Sequence, residues 1–253
     1  MIQEIALVTS LLAGSTIVLG GIVEGYGYGL SLGTNWPYTN NMIDVARKGD
    51  PEAIHRITAT LTGILALVAL ILDPGLTTVL GLVAVAATAL LGMATLYVLA
   101  GKLPSLFQGL HDIAAYTTFV IYLLLFAGFR GNLLTFFEQA VLPPHFLYFV
   151  IFMGGWVTGT RKMRKPIGDV RRPKGRLQWV WVVHGLAAGI FVISLILLHY
   201  WLTLGVAVLE GLVGLLVYRT VNSNPEKPGA SIALHQLFSI LTVVAILLNS
   251  GII

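Results

Sequence analysis

The chain has 253 residues, 57% of them hydrophobic and only 10% charged, with a formal net charge of +4 and no cysteine. A soluble domain carries about 25% charged residues, so this composition excludes one and predicts a polytopic membrane protein, in keeping with a mean hydropathy of +0.87. The missing cysteines exclude disulfides, thiolate metal sites and cysteine nucleophiles, and a pI near 9.4 suits a membrane surface without calling for nucleic acid.

Eight runs approach the roughly 20 residues needed to span hydrocarbon. They fall at 5–23, 54–73, 76–100, 109–129, 143–160, 177–199, 200–219 and 230–250. The first lacks a basic leader and a small-residue cleavage site, and reads as a retained helix rather than a signal peptide. A long polar loop, 24–53, comes after it and contains GTNWPY (Gly33–Tyr38). The second run opens on EAIHR, which sets Glu52, His55 and Arg56 at the lip of a membrane helix. Ionisable groups at that depth are costly and usually face a functional interior. The stretch GNLLTFFEQAVL (131–142) is too short and polar to span, and reads as interfacial. The basic stretch RKMRKPIGDVRRPKGR (161–176) reads as a solvated anchor. Glu210, in the seventh run, reads as a group paired with a neighbouring helix.

The chain echoes itself. GGIVEG (Gly20–Gly25) ends the first run and GGWVTG (Gly154–Gly159) ends the fifth. ALLGMATLYV then LHDIAAYTTFVIYLLL is matched by GLVGLLVYRT then LHQLFSILTVVAILL. Four helices per half is an even number, which gives a parallel rather than an inverted repeat. The expected fold is therefore all-α: eight transmembrane helices in two tandem four-helix bundles, residues 1–130 and 131–253.

Four histidines occupy matching places. His55, His111, His184 and His235 stand near the starts of the second, fourth, sixth and eighth runs. The expected helix starts are set by Asp50 before Pro51, by Ser105, by Arg176 and by Ser231, since serine and aspartate cap N-termini and proline suits the first helical position. Each imidazole then lies four to eight residues inward, about 6–12 Å at 1.5 Å per residue, so all four share one layer. One turn deeper stand Ala59, Ala115, Ala188 and Ser239, and two residues on stand Ile57, Ile113, Leu186 and Leu237. A small residue under each imidazole with apolar flanks leaves room for a flat porphyrin between paired axial histidines. A lone membrane histidine is more often an interhelical hydrogen-bonding residue; four in register favour ligation. Zinc is disfavoured, because its sites recruit closer, mixed clusters. His145 and His199 belong to the opposite face and read as structural.

These residues resemble the heme A synthase family. The resemblance rests on E-x-x-H-R (Glu52, His55, Arg56), the GG pair ending the first helix, and Trp36-Pro37 in the loop after it. It includes one histidine on each even helix and the GG-x-V turn ending the fifth, and it runs over essentially the whole chain. It implies conversion of heme O to heme A, a porphyrin methyl being oxidised to formyl by successive hydroxylations. It further implies that His55 and His111 hold the substrate heme, that His184 and His235 hold a heme b relaying electrons, and that Glu52 is the essential carboxylate. The implied partners are membrane lipid, a heme O-supplying enzyme, terminal oxidase assembly and an electron donor of unknown kind; a homo-oligomer is compatible with all of them.

The residues themselves leave alternatives. Glu52 shares a helix face with His55 and suits a first turn, where it serves proton chemistry or merely caps. Arg56 pairs with a heme propionate or is an ordinary interfacial arginine. The cysteine pair common in the family's first outer loop is missing, which marks a cysteine-free variant. Fourteen of the 15 Lys and Arg residues lie on the histidine side, Arg130 excepted. The positive-inside rule calls that side cytoplasmic, whereas the resemblance places it outside the cell membrane. The competing function is a non-catalytic diheme b-type cytochrome, which would need the four histidines but not Glu52.

Overall fold

Within hydrocarbon every backbone N–H and C=O must be satisfied internally, and long apolar runs free of interior proline do this as helices. The computed structural model describes residues 1–39, 41–142 and 145–253, and the described residues are helical without strands. The helices are α1 (Ile2–Gly25), α2 (Met42–Arg47), α3 (Pro51–Leu72), α4 (Leu76–Leu99), α5 (Leu106–Phe126), α6 (Leu133–Val141), α7 (Leu147–Arg161), α8 (Arg176–Leu197), α9 (Trp201–Ser223) and α10 (Ser231–Asn249). Seven of them, α1, α3, α4, α5, α8, α9 and α10, are long and apolar enough to cross a membrane. Large apolar side chains such as Ile71, Val83, Leu186 and Leu212 remain more than half exposed on their outer faces, as a lipid-facing surface requires.

The expected fifth span is the exception. Its first two residues, 143 and 144, lie outside the described residues, and its helical part is α7, with 15 residues. At 1.5 Å per residue this is about 22 Å, short of the roughly 30 Å hydrocarbon core. Phe146 (φ 56°) and Lys162 (φ 53°) bound it in the left-handed region, which a helix of L-residues cannot continue through. The short α6 packs beside it, with Phe137 stacked on Tyr148 at 5.8 Å. Asn132 caps α6 through the backbone N–H groups of Leu134 and Thr135, and nine residues cannot span, as its composition predicts. The long first loop is not wholly irregular: α2 forms there and buries Met42.

α1, α3, α4 and α5 close a ring, α1 and α4 each packing against both α3 and α5. The remaining long helices run α7 on α8, α8 on α9 and α9 on α10, and they join the ring where α1 meets α10 and α5 meets α7. Both junctions depend on glycine. A Cβ on Gly21 would lie 2.7 Å from the Ala233 Cα, and one on Gly155 would lie 2.8 Å from the Gly109 Cα. Only a glycine on one side lets two helix backbones approach so closely. Ala233 and Gly109 each precede a histidine by two residues, so these crossings set His235 and His111 at the level of the two GG pairs.

The caps depart in part from expectation. Asp50 does cap α3, accepting from the Ala53 N–H at 3.0 Å, with Pro51 in the first turn. Ser105 precedes α5 but does not cap it; its hydroxyl accepts from Trp156 Nε1 and Thr160 Oγ1 of α7. Ser231 lies inside α10 and bonds Thr220 of α9. Tertiary partners outcompete the local cap in both cases, because a buried hydroxyl between helices must find a partner.

Candidate functional site

The ring of α1, α3, α4 and α5 encloses a cavity of about 510 Å³, within the range of small-molecule sites. His55 and His111 both line it, and so do Ala59 and Ala115, the small residues one turn beneath them. The expected apolar flanks do not. Ile57 and Ile113 are absent from its lining, and Leu186 and Leu237 are exposed on the outer surface. Two residues on is 200° around a helix, away from the face that the histidine occupies. The walls come instead from Ala13, Ile17, Val85, Leu96 and Leu99 on other helices and from Ile64 and Leu67 further along α3.

Three of the four rings are oriented by an earlier helix, α1, α4 or α7. The Nδ1 of His55 lies 2.9 Å from the Thr16 carbonyl, that of His111 3.0 Å from Thr88, and that of His184 3.1 Å from Val150. A carbonyl oxygen only accepts, so Nδ1 carries the proton in all three, which in a neutral imidazole leaves the lone pair on Nε2. That is the tautomer a metal-ligating histidine needs. Four residues beyond each carbonyl comes a glycine against the imidazole edge. A Cβ there would lie 3.5 Å from Cε1 of His55 at Gly20, 3.2 Å from His111 at Gly92 and 3.3 Å from His184 at Gly154. Gly214 stands likewise 3.4 Å from His235 Cε1, but the Nδ1 of His235 is buried without a partner among the described residues. Sequence alone does not single out these glycines. The echo of GGIVEG in GGWVTG is the available signal, but only the fold shows what faces them.

Glu52 lines the cavity and is 4% exposed. One carboxylate oxygen accepts from the Ser31 hydroxyl at 2.9 Å and the Leu32 N–H at 3.1 Å, and the other pairs with Arg56 one turn on. Arg56 also donates to the Asn35 carbonyl, and Tyr38 bonds Thr60 at 2.6 Å. Glu52, Arg56 and Thr60 thus stitch the first loop down onto α3, and Trp36 and Pro37 join the cavity lining. Arg56 is a partner of Glu52 in this structure, not a free surface cation.

Two further cavity carboxylates have no counterpart in the sequence expectations. Asp112, next to His111, accepts from Gln108 at 3.1 Å. Glu24, the acid in GGIVEG, accepts from Thr158 at 3.1 Å and forms a buried pair with Arg161 of α7. Arg161 is only 1% exposed and also donates to the carbonyls of Lys165 and Pro225. The first residue of the basic stretch is therefore no solvated anchor but the tie between α1, α7 and the α9–α10 turn. The rest of that stretch contains the exposed Asp169–Arg171 pair, where the guanidinium holds the Asp169 carboxyl down to about 2.

Glu210 accepts from Thr242 of α10 at 2.8 Å, a neighbouring-helix pairing as expected. His199 turns the α8–α9 connection at φ 57°, and His145 packs against Tyr200 with ring centroids 5.8 Å apart, both away from the cavity. Among the described residues no cluster of three or more histidine, aspartate or glutamate side chains is placed to hold a bare metal ion; an axial pair of imidazoles is a different arrangement. No protein-family model matches the chain, and no curated protein does.

Proposed function

We propose that the chain is a heme A synthase-like oxidoreductase of the cell membrane. It would convert heme O to heme A by oxidising a porphyrin methyl to formyl, in support of terminal oxidase assembly. In this reading two parallel four-helix units, 1–130 and 131–253, each hold a porphyrin, and α7 completes an eighth, shortened membrane helix. His55 and His111 ligate the substrate heme; His184 and His235 ligate heme b, with their face outside the cell. When bound, heme b supplies one-electron redox chemistry. The glycine opposite each imidazole supports this, because it clears the ring edge and leaves the ring, not a neighbouring Cβ, to set the packing distance. The fixed Nδ1–H tautomer of three of the four supports it as well.

The observation that carries the enzyme reading is Glu52, a buried carboxylate on the wall of the cavity that contains both His55 and His111. Ser31, the Leu32 N–H and Arg56 orient it, so it can hold or pass a proton at the substrate's edge without reorganising. The first loop, tied down by Arg56 and Tyr38, would screen that edge from water. A second reading, the diheme b-type cytochrome, is favoured by the same bonds, since an acid engaged on both oxygens also suits a structural ion pair. Mass spectrometry of the porphyrin extracted from the protein, with a pyridine hemochrome spectrum, separates them. A formyl-bearing heme is the outcome for the enzyme; heme B alone, even from cells that supply heme O, is the outcome for the carrier.

A further inference from the structure

Three histidines share one rule: Nδ1 donates to the carbonyl four residues before the facing glycine, at Thr16 before Gly20, Thr88 before Gly92 and Val150 before Gly154. His235 faces Gly214 in the same way, and the residue four before Gly214 is Glu210. Here the rule breaks, for the His235 Nδ1 is buried and unpartnered among the described residues. A buried donor left unmade costs about 1–3 kcal/mol, so such an atom asks for an explanation. The Glu210 side chain already crosses to α10. Its Oε2 accepts from Thr242, which lies seven residues, two turns, from His235 on the same helix face.

Resting on the assignment of His235 as a heme ligand, we infer that Glu210 is a positioning residue whose carboxylate takes the Nδ1–H of His235 in place of the peptide carbonyl used by the other three histidines. The consequence is an asymmetric ligand pair. His184 is backed by a neutral carbonyl, His235 by a carboxylate. A carboxylate acceptor makes a roughly twofold stronger hydrogen bond and makes the imidazole a more basic ligand, which favours ferric over ferrous iron. The heme at His184 and His235 would then be held at a lower potential than a carbonyl-backed pair would give, as suits a group that must pass electrons onward.

The test is redox titration of the purified, heme-loaded full chain, wild type against Glu210→Gln and Thr242→Val. Glu210→Gln keeps the shape and removes the charge. It should leave the low-spin heme content intact and raise the midpoint potential, shifting the ferric-to-ferrous ratio by about tenfold, or about 59 mV for a one-electron couple. Thr242→Val frees the carboxylate from its competing donor and should move the potential the other way. Potentials equal to wild type in both variants, with heme bound, would overturn the assignment of Glu210. Low-spin heme content in His235→Ala equal to that of wild type, with neither heme lost, would instead overturn the ligand reading beneath it.

Discussion

The histidines of the two halves each face a glycine in the same way and are dressed differently. Three residues before His55 stands Glu52; three before His184 stands Trp181, which packs against Tyr218 at 4.7 Å between ring centroids. The residue after His55 is Arg56, and the residue after His184 is Gly185. Beside His111 is Asp112, whereas beside His235 is Gln236, which accepts from Tyr116 at 3.0 Å. The N-terminal ring therefore surrounds its histidines with carboxylates and covers them with a stitched loop. The C-terminal helices place an aromatic and an amide where those two acids stand and a glycine where Arg56 stands, and keep their one membrane carboxylate, Glu210, beside α10. Similar imidazole placement with opposite chemistry is what a reacting site and a relaying site would each need.

The largest effect should come from the tie between the halves. Glu24→Ala strands the Arg161 guanidinium in a buried site, and breaking such a pair costs about 3–5 kcal/mol. The unfolding temperature of the detergent-solubilised protein should fall steeply, and both histidine pairs should suffer together. Gly92→Leu and Gly154→Leu should separate the halves. Each drives a side chain into one imidazole edge, an overpacking cost of about 1–3 kcal/mol. Gly92→Leu should remove the N-terminal heme signal and spare the other, and Gly154→Leu should do the reverse in the absorption spectrum of the reduced protein. Asp50→Ala removes the cap of the helix bearing Glu52 and His55, and should cost about 1 kcal/mol without changing the C-terminal heme. Asp169→Asn breaks an exposed ion pair in the basic stretch, and both the melting temperature and the spectra should stay at wild-type values.

The parts of this arrangement visible in sequence are those written along a single helix. The four histidines and the alanines beneath His55 and His111 follow helical periodicity, so their common depth and their faces can be counted from the chain. The Asp50–Pro51 start is likewise local, and the structure keeps it. Contacts between helices cannot be counted in this way. Nothing in the order of residues says that Gly92 meets His111, or that the Thr88 carbonyl accepts its Nδ1–H. Arg161 reads as one cation among many, because its burial depends on Glu24 at the far end of another helix. The shortness of α7 comes from left-handed residues at Phe146 and Lys162, which are not glycines and so give no warning in the sequence.

If Glu52 acts on a porphyrin held by His55 and His111, the hemes extracted and chromatographed from cells that supply heme O and express either wild type or Glu52→Gln must differ. The substitution keeps the side-chain shape and its hydrogen-bonding reach but removes the titratable carboxylate. The variant should fold, retain both hemes, make heme A about 100-fold or more slowly, and accumulate heme O or a partly oxidised product. Heme A formed at the wild-type rate by Glu52→Gln would remove Glu52 from the chemistry.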